Sequence, residues 1–98
     1  MTRTVVVTGI GATTPLAGNA KDTWSALLAG TSGIRAIENF DASQLSVRFA
    51  GTIAVEPLDS GLEKAKARRL DRGQQFAVVA AREAWADAGA PDVDKTRL

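Results

Sequence analysis

The chain has 98 residues, 45% of them hydrophobic and 23% charged, an ordinary soluble composition that suits one small domain at most. A formal net charge of +1 gives no global basic bias towards nucleic acid, and no run reaches the roughly 18 to 20 apolar residues that cross a bilayer. Neither Cys nor His occurs, which excludes thiolate nucleophiles, disulfides, zinc clusters and histidine bases within these residues. No metal, cofactor or membrane partner is expected, and the short apolar run after Met1 is no signal-peptide core, so a cytoplasmic location is expected.

Thr4 to Leu16 reads as a strand followed by a loop. Val5, Val6 and Val7 are adjacent and β-branched, with no alternation between a wet and a dry face. That pattern predicts a strand covered on both sides, as in the middle of an α/β sheet. Gly9 and Gly11 allow a turn, and Pro15 ends regular structure. A Gly-x-Gly after a strand invites a dinucleotide-binding reading, but the third glycine position is Thr14 and the next helix signal starts only near Asn19. No helix N-terminus is expected to face the loop, and the glycines are read as a tight turn beside a buried strand.

Asn19 is an N-cap with Asp22 three residues on, predicting a helix from Ala20 to Ala29 that Gly30 ends. Trp24, Leu27 and Leu28 form its apolar stripe, to be covered by a sheet or another helix, with Lys21, Asp22 and Ser25 facing water. Thr31 to Gly33 is a turn, and Ile34, Ile37 and Phe40 are expected as buried anchors on an irregular segment. Asp41 is placed to cap one helical turn ending at Leu45. Ser46 to Val55 alternates with period two, a half-buried strand in which Gly51 marks a bulge or a close backbone approach, and Pro57 closes it.

Between Glu63 and Arg72, five basic residues (Lys64, Lys66, Arg68, Arg69, Arg72) stand against two acids, a local +3 that exceeds the charge of the whole chain. Two readings stay open: a solvated turn before a helix, or a docking patch for an anion or an acidic protein. No aromatic is interleaved to stack on bases, which disfavours nucleic acid. A last helix is predicted from Gln74 to Ala88. Phe76 to Ala81 is apolar all round and should be buried on most sides. Ala77, Ala81, Ala84, Trp85 and Ala88 fall on one stripe, with Gly89 and Pro91 as stop signals.

Several of these blocks, in order, resemble the amino-terminal segment of the β-ketoacyl-acyl-carrier-protein synthases, in particular the synthase II type of bacterial fatty-acid synthesis. They are Val5 to Gly11, Thr14-Pro15-Leu16, Thr23-Trp24 with Leu27 to Gly30, Ser32-Gly33-Ile34, Phe40 to Ser43, Arg48 to Gly51, Arg68 to Arg72, Ala80 to Ala84 and Asp87-Ala88-Gly89. Gly73 and Ala17 depart from the family pattern. The resemblance implies a thiolase-like layered α/β/α/β/α fold with Val5 to Val7 as a central strand. Residues 1 to 98 would be the amino-terminal part of its N-terminal domain. It also implies a homodimer that elongates acyl chains by decarboxylative Claisen condensation with malonyl-carrier protein. In that family a cysteine carries the acyl group and two histidines stabilise the oxyanion. None of them lies in this chain, which is therefore expected to be a piece of a synthase.

The family's docking surface for the acidic helix of acyl carrier protein maps to Arg68 and Arg69, and to Lys64 and Lys66. Two alternatives are carried alongside. One is the ketosynthase of an aromatic polyketide pathway, or its partner subunit lacking the nucleophile. The other is a small non-catalytic binding domain that uses the patch from Lys64 to Arg72.

Overall fold

The structure is a computed structural model and describes residues 2–97. Its elements are α1 (Ala20–Leu28), β1 (Ile34–Ala36), β2 (Phe49–Gly51), α2 (Lys64–Ala67) and α3 (Arg72–Asp87), with 3-10 turns at Pro57–Ser60 and Lys95–Arg97. α1 starts as its sequence predicts, with the Asn19 side chain accepting from the Asp22 N–H at 2.8 Å. It ends in a Schellman turn, in which Thr31 N–H donates to Ala26 at 3.0 Å and Gly30, at φ 71°, donates to Leu27 at 3.1 Å. α3 ends the same way, with Ala90 N–H on Trp85 at 2.9 Å and Gly89 N–H on Ala86 at 3.0 Å. Its start lies two residues before the expected Gln74. There Asp71 accepts from Gln74 N–H at 2.8 Å while the Gln74 side chain accepts from Asp71 N–H at 3.1 Å. That reciprocal box offsets the cost of about 1 kcal/mol for Gly73 in the first turn.

β1 and β2 pair antiparallel with Ile34 opposite Gly51, Arg35 opposite Ala50 and Ala36 opposite Phe49. Ile34 and Phe40 are exposed and Ile37 only half-buried, so the expected buried anchors are not formed, for want of a layer to cover them. Two further expectations are corrected here. The segment from Ile34 is not irregular but supplies the partner strand, and the strand expected over Ser46 to Val55 is regular only from Phe49 to Gly51, where that partner exists. Beyond the pairing, Arg35 ties the ribbon to the amino-terminal loop, its two guanidinium nitrogens donating at 2.6 Å each to the carbonyls of Thr52 and Pro15. Ala54 N–H continues the tie to Thr14 at 3.0 Å. Gly51 is a close approach, since a Cβ there would lie 3.1 Å from Pro15. Asp41 does not cap a helix: it accepts from Ser43 N–H at 3.0 Å over a single turn closed by Leu45 N–H on Ala42.

The largest departure is the amino-terminal segment. Val5 to Val7 form no strand, and their side chains are 93%, 68% and 80% exposed. A strand is made by its neighbours, and among the described residues no backbone group of these valines is paired. Four residues further on the same extended chain is well held. Ile10 N–H donates to Asp87 at 3.0 Å, and Ala12 N–H donates to Glu83 at 2.8 Å. Gly9 and Gly11 alternate with those donors and lie on the backbone of α3, so that an added Cβ would collide with the Ala84 and Ala80 carbonyl oxygens. Two extended residues advance about 6.7 Å and four helical residues about 6 Å, so alternate glycines match a helix face repeating every four. That face is Ala80, Ala84 and Ala88. The expected tight turn is thus a close-packed extended segment. Ala77 and Ala81 of the expected stripe point to solvent, Trp85 is 45% exposed, and no residue of α3 is fully buried.

The same shortage of cover marks α1, whose stripe residues Trp24, Leu27 and Leu28 are 61%, 55% and 70% exposed rather than packed as expected. Its inner side is made by half-buried Thr23 and Ala26, with Thr23 Oγ1 2.9 Å from Thr14 Oγ1. Buried hydrophobics among the described residues are Ala42, Leu62 and Ala67, joined by Pro57. The accessible surface of 7798 Å² exceeds by about 2,500 Å² what a compact monomer of 10.2 kDa exposes. The radius of gyration of 16.9 Å likewise exceeds the roughly 13 Å of a compact chain this long.

Candidate functional site

The basic segment is built on one helical turn. Pro57 opens the preceding 3-10 turn, and Gly61, in the left-handed region at φ 87°, ends it. Leu62 then inserts, and Glu63 is the N-cap residue of α2. Arg68 N–H donates to Lys64 at 3.1 Å, Arg69 N–H to Lys66 at 3.1 Å and Leu70 N–H to Ala67 at 3.2 Å, so helical geometry persists past Ala67. Gln75 of α3 fixes this turn from beneath, its amide donating to the carbonyls of Ala67 at 3.0 Å and Leu70 at 3.3 Å. Ala67 is buried, and Lys64, Lys66, Arg68 and Arg69 are all exposed.

Charge pairing sorts the cluster further. Arg72 makes a two-pronged contact with Glu56 at 2.8 and 2.9 Å and stacks over the Phe76 ring at 5.1 Å. The hydrogen bond from Arg72 holds the Glu56 carboxyl below its usual range, and the same bond raises the guanidinium. Arg82 of α3 takes Glu63 at 3.0 Å, again lowering the carboxyl chiefly through that hydrogen bond. Among the described residues Lys64, Lys66, Arg68 and Arg69 stand in no ion pair. All four stand on the same short exposed helical turn, while Arg72 belongs to a structural pair and drops out of the cluster.

On the opposite side of α3, Glu83 accepts from Ala12 N–H and also from Ala20 N–H at 3.0 Å, the first amide of α1. A helix N-terminus does therefore meet the loop, contrary to the expectation, but a carboxylate of the chain itself occupies it. Sequence reading missed Glu83, Asp87 and Arg35. The two acids do carry a signal, since they lie four apart on α3 and the residues whose amides they hold, Ile10 and Ala12, lie two apart.

Residues 2–98 match the family model described as beta-ketoacyl synthase, N-terminal domain. The chain belongs to the β-ketoacyl synthase family. It is 43% identical over 91% of its length to the granaticin polyketide beta-ketoacyl synthase 1 of Streptomyces violaceoruber. It is also 43% identical over 86% of its length to a 3-oxoacyl-[acyl-carrier-protein] synthase 2 of Staphylococcus aureus strain COL. The matches cover 21% and 20% of those two proteins, so this β-ketoacyl synthase chain spans about a fifth of the length of its curated relatives. The chain is α/β in class, and among its described residues no helix is long and apolar enough to cross a membrane.

Proposed function

We propose that this chain is the amino-terminal part of a cytoplasmic 3-oxoacyl-[acyl-carrier-protein] synthase of layered, thiolase-like α/β/α/β/α fold that works as a homodimer. The observation that carries the reading is the family match over residues 2–98, with relatives named as 3-oxoacyl-[acyl-carrier-protein] synthase 2. In the reaction, loss of CO2 from a malonyl thioester leaves a carbanion that attacks an acyl thioester carbonyl. A new carbon–carbon bond forms, the carbon–sulfur bond of the acyl thioester breaks, and a 3-oxoacyl thioester results. The acyl-bearing thiolate and the oxyanion-stabilising histidines of this chemistry are supplied from outside these 98 residues, which contain no Cys and no His. What this chain contributes is the docking surface for acyl carrier protein, formed by Lys64, Lys66, Arg68 and Arg69.

The granaticin relative supports a second reading, the ketosynthase of a polyketide pathway or its partner subunit. The complete protein, given acyl and malonyl carrier proteins, separates the two. A fatty-acid synthase releases one CO2 per acyl chain and stops at the 3-oxoacyl product, a polyketide synthase continues to a poly-β-keto chain, and a nucleophile-lacking subunit makes neither. Residues 1–98 alone are expected to give no CO2 and no product, and turnover above the protein-free control would contradict the assignment of their role.

A further inference from the structure

One carboxylate closes a loop at both of its ends. Glu83 Oε1 accepts from Ala12 N–H at 2.8 Å and from Ala20 N–H at 3.2 Å, and its Oε2 accepts from Ala20 N–H at 3.0 Å. The chain between these amides is a compact surface loop whose ends meet on a side chain of α3. Its interior is wound around Thr14. Thr14 Oγ1 accepts from the Leu16 and Ala17 N–H groups at 3.1 and 3.2 Å and lies 2.9 Å from Thr23 Oγ1, while Thr14 N–H donates to the Ala17 carbonyl at 2.9 Å.

The outer side of the same loop carries the β-ribbon. Arg35 donates to the Pro15 carbonyl at 2.6 Å, and Ala54 N–H donates to the Thr14 carbonyl at 3.0 Å. Pro15 is wedged against Gly33 and Gly51, where added Cβ atoms would lie 2.8 and 3.1 Å from its ring carbons, and Gly18 lies against Val55 in the same way at 2.9 Å. Among the described residues, two hydrogen bonds leave the stretch from Ser32 to Val55, and both end on this loop.

We infer that Glu83 is the latch of one conformational unit: its carboxylate closes the loop from Ala12 to Ala20, the closed loop holds the β-ribbon, and without the carboxylate loop and ribbon open together. Glu83 makes no hydrogen bond to the ribbon, so it acts there as a positioning residue, through the loop. The contacts stand in series, from α3 to loop to ribbon, and contacts in series open as a unit when the first is lost. Loss at the far end does not travel back. Arg35 can release Pro15 while Glu83 still holds Ala12 and Ala20.

The test is backbone amide exchange in the complete protein, resolved to single residues. In Glu83→Ala the Ala12 and Ala20 amides are expected to exchange about tenfold faster or more. Ala17 and Ala54, which Glu83 does not touch, should speed up by the same factor to within about threefold, since they open in the same event. The amides of Arg68 to Leu70, in the basic turn, should keep the parent's rates, which separates release of this unit from a general loss of stability. Glu83→Gln retains one oxygen that can stand where Oε1 accepts from both amides, so its rates should stay within about threefold of the parent. Should Glu83→Ala not fold, Glu83→Asp, one methylene too short to reach both amides, carries the same expectation. In the reverse direction, Arg35→Ala should speed Ala54 and leave Ala12 and Ala20 unchanged. Faster exchange at Ala12 and Ala20 alone, with Ala17 and Ala54 at the parent's rates, would overturn the latch. So would Glu83→Gln opening the loop as fully as Glu83→Ala, or Arg35→Ala releasing Ala12 and Ala20.

Discussion

Two neighbouring stretches of one extended segment fare very differently. Gly9 to Ala12 is held by its own chain, with alternate amides on Asp87 and Glu83 and alternate glycines on the backbone of α3. Val5 to Val7, only a few residues earlier, is bare on both faces and unpaired along its backbone among the described residues. The difference lies in what a helix can offer an extended chain. A helix has no free backbone acceptors along its side, so it can hold such a chain only where side-chain carboxylates supply acceptors and missing Cβ atoms allow contact. Valines meet neither condition. They need strands on either side, and leaving each exposed forgoes about 1.5 to 3 kcal/mol.

The comparison can be broken most forcefully at the glycines. In the complete protein, Gly11→Val puts branched carbons into the Ala80 carbonyl, and since backbone cannot give way cheaply the expected loss is about 3 kcal/mol or more by denaturant unfolding. A loss below about 1 kcal/mol would mean that the segment is not seated on α3. The carboxylates come next. Glu83→Ala strands the Ala12 and Ala20 amides in a half-buried place and should cost about 2 kcal/mol. Asp87→Ala, whose single contact to Ile10 is exposed, should cost about 1 kcal/mol or less. Amide exchange sharpens the point: Ala12 and Ala20 should lose protection in Glu83→Ala while Ile10 keeps more of its own.

These effects show where the sequence was legible. The caps of α1, the stop at Gly89 and the basic turn are local, each set by residues within four or five of one another, and all were readable. The β1 strand was missed because its three residues Ile34-Arg35-Ala36 are too few to establish a period and become a strand only through Phe49 to Gly51. Gly9 and Gly11 were assigned to a turn because a glycine's need for close approach depends on what lies opposite, here alanines some 70 positions away. The basic patch was visible as charge, but the loss of Arg72 from it came only from the pairing with Glu56, sixteen positions away.

The smallest expected effect lies away from both stretches, at Glu56 and Arg72. The Glu56 carboxyl is lowered from its ordinary 4.5, so its share of stability is present above that pH and fades as pH falls through the lowered value. The raised Arg72 stays charged throughout this window and adds no slope of its own. With both side chains 55% exposed, the pair is worth no more than about 0.5 kcal/mol. Glu56→Gln should therefore flatten the acid limb of stability only slightly, and a change above about 1 kcal/mol would show a stronger coupling than this geometry allows.

The central claim is that Val5 to Val7 and the open face of α1 require cover from polypeptide beyond these residues or from a second copy. A surplus surface of about 2,500 Å², the size that obligate interfaces bury, measures how much cover is missing. Residues 1–98 expressed alone should sediment as self-associated species, or as a monomer with no cooperative thermal transition. A cooperative unfolding transition from a sedimentation-verified monomer would contradict the account.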